Sequence, residues 1–378
     1  MGLYNASGVD IRIGIDVRIT HYTHGGISSY ALRLIRALAA LDADTDYCIL
    51  HSRKDHNPPL PASNFRPVAC WTPSHHRLER WALGAEAKRL GLDLLHSPDF
   101  IPPAFGYRRC VITVHDLNFL YYPQFLTAES RRYYNGQIEW AVRRADHILA
   151  DSYATKRDLA SMLSVEPEKV TVVHLAADPA YRPLTGEEAR DVAAQYGLEP
   201  GYLLFVGTLE PRKNLPGLLQ AYRLLRDART TDEPLVLVGG KGWLYDEIFE
   251  RVETLQLTQH VRFLHDVPDV DLPGLYSAAG LLTTPSFYEG FGLPALEAMS
   301  FGTPVVVSDR ASLPEVVGEA GLLVNPDDPE DIAQALARVL TEEPLRARMR
   351  EQGLAQAARF TWDKAARETL AVYGEVLE

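Results

Sequence analysis

The feature that most constrains this chain is the alternation of short, almost uninterrupted Val/Ile/Leu runs with longer segments of helical spacing. In the first half, Ile11–Ile19, Tyr47–Leu50, Leu94–His96, Cys110–Val114, His147–Ala150 and Val170–Leu175 read as strands. In the second half, Tyr202–Val206, Leu235–Val238, Val261–Leu264, Leu281–Thr284, Val305–Ser308 and Gly321–Val324 do the same. Runs that do not alternate apolar with polar suit strands buried on both faces, the condition of a parallel sheet covered by helices. Helical segments such as Ser29–Leu41 and Asp331–Leu340 complete βα units, so the expected class is α/β and doubly wound. None of the runs approaches the roughly 20 apolar residues that span a bilayer.

At about 150 residues per domain, a chain of 378 residues holds two. The junction falls in Asp178–Gly201, where Pro179, Pro183, Gly186, Gly197 and Pro200 surround a short helix-like segment. The expected division is 1–178 and 179–360, with 361–378 as a terminal helical segment. Its apolar face is Ala365, Ala366, Leu370, Val372 and Tyr373. Charge is split the same way: residues 1–178 carry 20 Lys+Arg against 19 Asp+Glu, whereas residues 179–378 carry 18 against 31. An acidic chain without a basic stripe argues against nucleic acid as partner. Cys48, Cys70 and Cys110 are odd in number and widely spaced, which suggests buried free thiols in a reducing compartment. With no secretory leader visible, the cytoplasm is the expected location. Leu78, Trp81 and Leu83 beside Arg77 and Arg80 leave room for peripheral contact with the inner face of a membrane.

In open α/β sheets ligands bind outside the carboxyl ends of the strands, so the loops after strands are where chemistry is expected. Gly207-Thr208-Leu209-Glu210-Pro211-Arg212-Lys213-Asn214 follows one such strand. Arg212 offers a planar fork and Lys213 a mobile point charge, a set suited to phosphate; a solvated turn is the plain alternative. Ser286–Glu297 follows another strand, with Glu289 in the loop and Glu297 about one turn into a helix begun near Pro294. Gly290 and Gly292 let backbone amides approach an anion, and two carboxylates suit a polyhydroxylated ligand. Gly25 and Gly26 precede a helix whose cap is expected at Ser28 or Ser29. That turn, Thr23–Tyr30, lacks the spacing of a dinucleotide fingerprint. His115 ends an apolar run and is a candidate hydrogen-bond donor, acid or base, unless backbone satisfies it. The remaining histidines, among them His51, His75, His76, His174 and His265, show no metal-site spacing. Asp269-Val270-Asp271 reads as a solvated turn, so no metal or other cofactor is expected.

These residues resemble a known family. Glu289 to Glu297, in the form EGFGLPALE, is similar to the paired-glutamate signature of family 4 retaining glycosyltransferases. The likeness extends to GGISSY at 25–30, VHDL at 114–117, GTLEPRKN at 207–214 and the ending RFTWDKAARETLAVY at 359–373, in order and over essentially the whole chain. It implies a GT-B architecture, two Rossmann-like domains facing across a cleft, with the terminal helix crossing back to the first. Carried over by position, Arg212 and Lys213 would bind the donor pyrophosphate near Gly207. Glu289 would meet the donor sugar, with Gly290, Phe291, Gly292 and Leu293 near sugar and phosphate. Glu297 would take the ribose hydroxyls, His115 would sit beside the transferred sugar, and Gly25 and Gly26 would face phosphate or acceptor.

VHDL, EPRKN and the RFTW ending look most like bacterial mannosyltransferases that use GDP-mannose in polysaccharide assembly, acting on a saccharide or lipid-linked saccharide. Where many relatives carry an Asn-Gly pair, this chain reads His174-Leu175-Ala176-Ala177-Asp178. Other readings stay open on sequence: a UDP-sugar donor, a sugar-nucleotide epimerase of the same architecture, a glycoside hydrolase using Glu289 and Glu297, or a non-catalytic sugar-nucleotide binder.

Overall fold

The computed structural model describes residues 11–22, 25–125, 128–240, 242 and 246–378. Thr23 and His24 of the first glycine turn lie outside the described residues. The chain divides into two units, one of residues 1–175 with 361–378 and one of residues 176–360. The division thus falls after Leu175 rather than Asp178.

The first unit holds a seven-stranded parallel sheet of β1 Arg12–Asp16, β2 Asp46–Ser52, β3 Phe65–Cys70, β4 Leu92–Ser97, β5 Tyr107–Val114, β6 His147–Ala150 and β7 Val170–Val172. Its order is β3-β2-β1-β4-β5-β6-β7. The second unit holds β8 Leu203–Val206, β9 Leu235–Val238, β10 Val261–Leu264, β11 Leu281–Thr284, β12 Val305–Ser308 and β13 Leu322–Val324, in the order β10-β9-β8-β11-β12-β13. Strand order reverses between β1 and β4 in one sheet and between β8 and β11 in the other. Those two crevices are where a doubly wound sheet receives ligand.

Most strands coincide with the apolar runs, because burial on both faces demands such runs: Leu235–Val238 and Val305–Ser308 are buried throughout. Three expectations change. β3 carries Arg66 and Pro67, with exposed positions along it; it is an edge strand, where Pro lacks no ladder partner and polarity is tolerated. The run from Ile11 stops at Asp16 because Arg18 turns into a 3-10 segment that buries its guanidinium. The helix Gly26–Leu41 starts at Gly25 without a side-chain cap, so Ser28 and Ser29 lie in its first turn.

Other helices begin on local chemistry. Thr185 and Glu188 form a capping box, Asp328 accepts from the amides of Glu330 and Asp331, and Thr361 accepts from that of Lys364. The terminal helix Trp362–Leu377 packs on Gly26–Leu41 within the first unit. There Tyr373 reaches His96 Nδ1 at 2.6 Å, His96 Nε2 meets Thr113 at 2.8 Å, and Thr113 meets the Tyr30 hydroxyl at 3.0 Å. Burial holds His96 down to about 3, with His115 adding to the effect, so its imidazole is neutral. All three cysteines are free and buried. Among the described residues no helix is long and apolar enough to cross a membrane.

Candidate functional site

In the second unit the loops following β8 and β11 flank the crevice where strand order reverses. After β8 the chain makes a 3-10 turn, Pro211–Lys213, and Asn214 enters the left-handed region at φ 55 before the helix Leu215–Asp227. Asn214 Nδ2 donates to the carbonyls of Pro285 and Pro326, at 3.1 and 2.6 Å. The Phe287 amide donates to the Arg212 carbonyl at 2.8 Å. These bonds bind the two loops to each other and bring Arg212, Lys213 and Glu289 together.

Glu289 is buried and its carboxylate is fully engaged. Oε1 accepts from Ser286 Oγ at 2.6 Å and Lys213 Nζ at 2.7 Å; Oε2 accepts from Lys213 Nζ and Arg212 Nη1, each at 2.9 Å. Four acceptances match the roughly four lone-pair directions of a carboxylate. Burial opposes the charge, but Lys213 and then Arg212 outweigh it and hold the acid down at about 2. Lys213 is shifted the other way: burial and then Arg212 lower it from its ordinary value, with Glu289 opposing. Arg212 also pairs with Glu210 at 2.7 Å and donates to the Tyr288 carbonyl. The expected groups are therefore together, and they neutralise one another rather than standing open to pyrophosphate and sugar.

The helix Leu293–Ser300 begins at Gly292, whose φ is +97 and where a Cβ would stand 2.6 Å from Leu313 Cδ2. Only glycine fits that corner, which turns the backbone from Glu289 into the helix. Gly290 and Phe291 are buried, Phe291 against the edge of Phe360, and Leu293 is the first helical residue. Glu297 is also buried, with Oε2 accepting from the Tyr276 hydroxyl at 2.9 Å. Gly207, at φ +150, lies beside Lys213, whose Cε is 3.6 Å from where a Cβ would be.

In the first unit Gly25 and Gly26 sit at the start of the helix Gly26–Leu41. Neither has a positive φ, and a Cβ on either would meet none of the described residues within 4 Å. His115 follows β5 and both ring nitrogens are engaged, Nδ1 with Asp151 Oδ2 at 2.6 Å and Nε2 with the Pro98 carbonyl at 2.8 Å. Burial opposes its charge, but Asp151 outweighs burial and raises the imidazole to about 9. His115 is thus held by Asp151 on one side and by backbone on the other, with its charged form favoured. Among the described residues no group of three or more His, Cys, Asp and Glu is placed to hold a metal.

Sequence reasoning missed Ser286, Glu210 and Asp151 as partners. Asp151 had a readable signal. Val114 and Ala150 are register partners on β5 and β6, so the residues after them, His115 and Asp151, must be neighbours. The apolar patch needs correction too: Leu83 is a core residue, whereas Leu78 and Trp81 are exposed, as is Trp71 under the Arg53 guanidinium.

Residues 24–181 match the family model described as Glycosyltransferase Family 4, and residues 190–356 match that of Glycosyl transferases group 1. An Escherichia coli relative, O-antigen chain mannosyltransferase B, is 37% identical over 79% of this chain and 77% of its own. D-inositol 3-phosphate glycosyltransferase of Salinispora arenicola is 32% identical over 93% and 88%. Among solved structures, Anabaena HepE in complex with UDP and glucose superposes with a TM-score of 0.77 at 18% identity, over 97% of this chain and 100% of that one. At that identity the likeness concerns fold alone.

Proposed function

The chain belongs to the glycosyltransferases of family 4, with the GT-B fold and similarity to bacterial mannosyltransferases, and on that premise we propose that it moves mannose from GDP-mannose to a saccharide or lipid-linked saccharide with retention of configuration. The observation that carries the reading is the Arg212–Lys213–Glu289 cluster at the β8/β11 crevice. Transfer breaks the bond between the sugar's anomeric carbon and the diphosphate oxygen and forms one to the acceptor's hydroxyl oxygen, whose proton passes to the leaving phosphate, so negative charge first grows on that phosphate. Two preorganised cations there stabilise that charge more than they stabilise the bound donor. Because Glu289 already accepts four hydrogen bonds, the donor enters by exchange. Its pyrophosphate takes over Arg212 and Lys213, and the released carboxylate accepts from sugar hydroxyls. Glu297, held by Tyr276, is assigned the ribose, His115 the transferred sugar, and Gly25 and Gly26 phosphate or acceptor.

The electrostatics disfavour the hydrolase alternative. A glycosidase needs an acid and an open carboxylate facing the sugar; Glu289, held near 2, is not the acid, its oxygens are taken by Ser286, Lys213 and Arg212, and the two cations would have no role in hydrolysis. The mannosyl reading is supported by the O-antigen relative and by the VHDL and EPRKN segments. A UDP-sugar is the second reading, because the pyrophosphate that Arg212 and Lys213 would hold is common to both donors. The proposed setting is the cytoplasmic face of a membrane, with exposed Trp71, Leu78 and Trp81 as the contact, and the proposed reaction needs no metal because fixed cations supply the charge.

The test compares nucleotide release from GDP-mannose, UDP-glucose, UDP-N-acetylglucosamine and GDP-fucose, with EDTA present, with and without octyl α-mannoside. Acceptor-stimulated release from GDP-mannose, with an α-linked product by NMR, is the expected result. Preference for a UDP-sugar would overturn the donor assignment, and dependence on added metal would overturn the metal-free mechanism.

A further inference from the structure

The crevice between β1 and β4 of the first unit carries a second polar cluster, built from residues the assignments above leave unused. Asp16 ends β1, and Arg18, two residues on, is fully buried. The guanidinium donates to Asp16 Oδ1 at 2.9 Å and Oδ2 at 2.7 Å, to Glu79 Oε1 at 2.5 Å and to the Thr72 carbonyl at 2.8 Å. The other oxygen of Glu79 accepts the His75 amide at 2.9 Å. That bond holds His75 in the left-handed region, at φ 61, a conformation uncommon for a residue with a side chain. From there the ring reaches Asp99, in the loop after β4, with 2.5 Å between Nε2 and Oδ2. Tyr134 presents its ring edge-on to His75 at 6.2 Å, with Phe100 and Phe119 beside it.

A buried ionic triad is costly to build and adds little net stability over apolar packing. Here it fixes one backbone amide, and through it the orientation of an exposed His75 against a partly exposed Asp99. The group so positioned is a carboxylate beside aromatic rings, at the point where a doubly wound sheet receives ligand. Its charge also selects. Asp16, Glu79 and Asp99 face Arg18 and His75, so an anionic ligand such as phosphate finds no excess of cations. A neutral polyol does find an acceptor for its hydroxyls, since His75 engages Asp99 Oδ2 and a carboxylate accepts about four bonds in all.

We propose that Asp99 accepts a hydrogen bond from a hydroxyl of the saccharide acceptor, with His75 as the positioning residue that orients its carboxylate and Tyr134 as the ring beside the sugar. The inference rests on the glycosyltransferase reading. Glu79 and Arg18 act through His75, so the whole chain from Asp16 to Asp99 is one device for placing an acceptor.

The experiment measures transfer to octyl α-mannoside, using whichever sugar nucleotide of the panel the parent protein turns over, in parallel with calorimetric binding of the matching nucleoside diphosphate. Asp99→Asn is expected to raise the KM for octyl α-mannoside at least tenfold, with diphosphate affinity within about twofold of the parent. His75→Ala should also raise KM, and His75→Gln, which keeps an N–H near the position of Nε2, should recover part of the loss. An unchanged acceptor KM in Asp99→Asn overturns the inference while leaving the enzyme reading intact, as does an equal loss of diphosphate binding. If the parent transfers from no nucleotide sugar to any saccharide, the function reading falls, and this inference with it.

Discussion

Replacing Glu289 by glutamine isolates the charge at the centre of the second unit's site. The carboxylate stands at about 2 against an ordinary 4.5, because Lys213 and Arg212 outweigh the burial that opposes its ionisation. At about 1.4 kcal/mol per decade this corresponds to about 3 kcal/mol of stability. The sign follows from the lowered acid: the contribution is complete above pH 4.5 and disappears as pH falls through about 2. Glutamine keeps the shape but not the charge, and leaves two cations facing each other, one of them buried. Breaking a buried ion pair from one side costs roughly 3–5 kcal/mol, in agreement with that figure. For a unit the size of residues 176–360, each kcal/mol shifts Tm by about 2–4 °C. At pH 7 the transition of that unit should therefore fall by about 6–12 °C in calorimetry. GDP at a hundredfold excess over its Kd stabilises by about 2.7 kcal/mol. At a fixed GDP concentration it should raise the Tm of Glu289→Gln by more than it raises the parent's, because the pyrophosphate then meets cations that no carboxylate occupies. A Tm within about 2 °C of the parent's would refute the reasoning, as would a smaller gain with GDP.

Lys213→Ala should weaken GDP binding about 10- to 100-fold, the worth of a charge-assisted hydrogen bond, and leave guanosine within twofold by calorimetry; equal losses would remove the pyrophosphate assignment. Asp151→Asn should bring the His115 midpoint down from about 9 in an NMR titration, since Asp151 is the largest of the groups that outweigh burial there. The raised imidazole means that this pair's contribution is complete below pH 6.5 and lost as pH rises through about 9, so that slope in stability should vanish in the variant; an unmoved midpoint would dismiss the pair. Tyr373→Phe removes the hydroxyl that His96 Nδ1 meets at 2.6 Å and should cost the first unit about 1–3 kcal/mol, read from the urea midpoint, with no change in GDP affinity.

Local pattern was legible for a physical reason: a strand buried on both faces must be apolar along its length, wherever its partners are. β9 and β12 could be read from four residues each, whereas β3 could not, because an edge strand with Arg66 and Pro67 carries no such pattern. Site residues follow the same division. Arg212, Lys213, Glu289 and Glu297 were visible because turn glycines, prolines and charges occur together after apolar runs, and chain-wide resemblance gave them roles.

Sequence by itself determined the α/β class, the two-unit organisation, the glycosyltransferase family and the candidate loops after β8 and β11, since each depends on residues close together in the chain. Tertiary structure alone decided which charges meet. Lys213 and Glu289 are 76 residues apart, Arg18 and Glu79 are 61 apart, and the terminal helix joins His96 across 277. Sheet order decides those encounters by setting β8 beside β11 and β1 beside β4. Where a carboxylate meets two cations in a buried crevice, their pairing, not the presence of the residues, sets which protons are held.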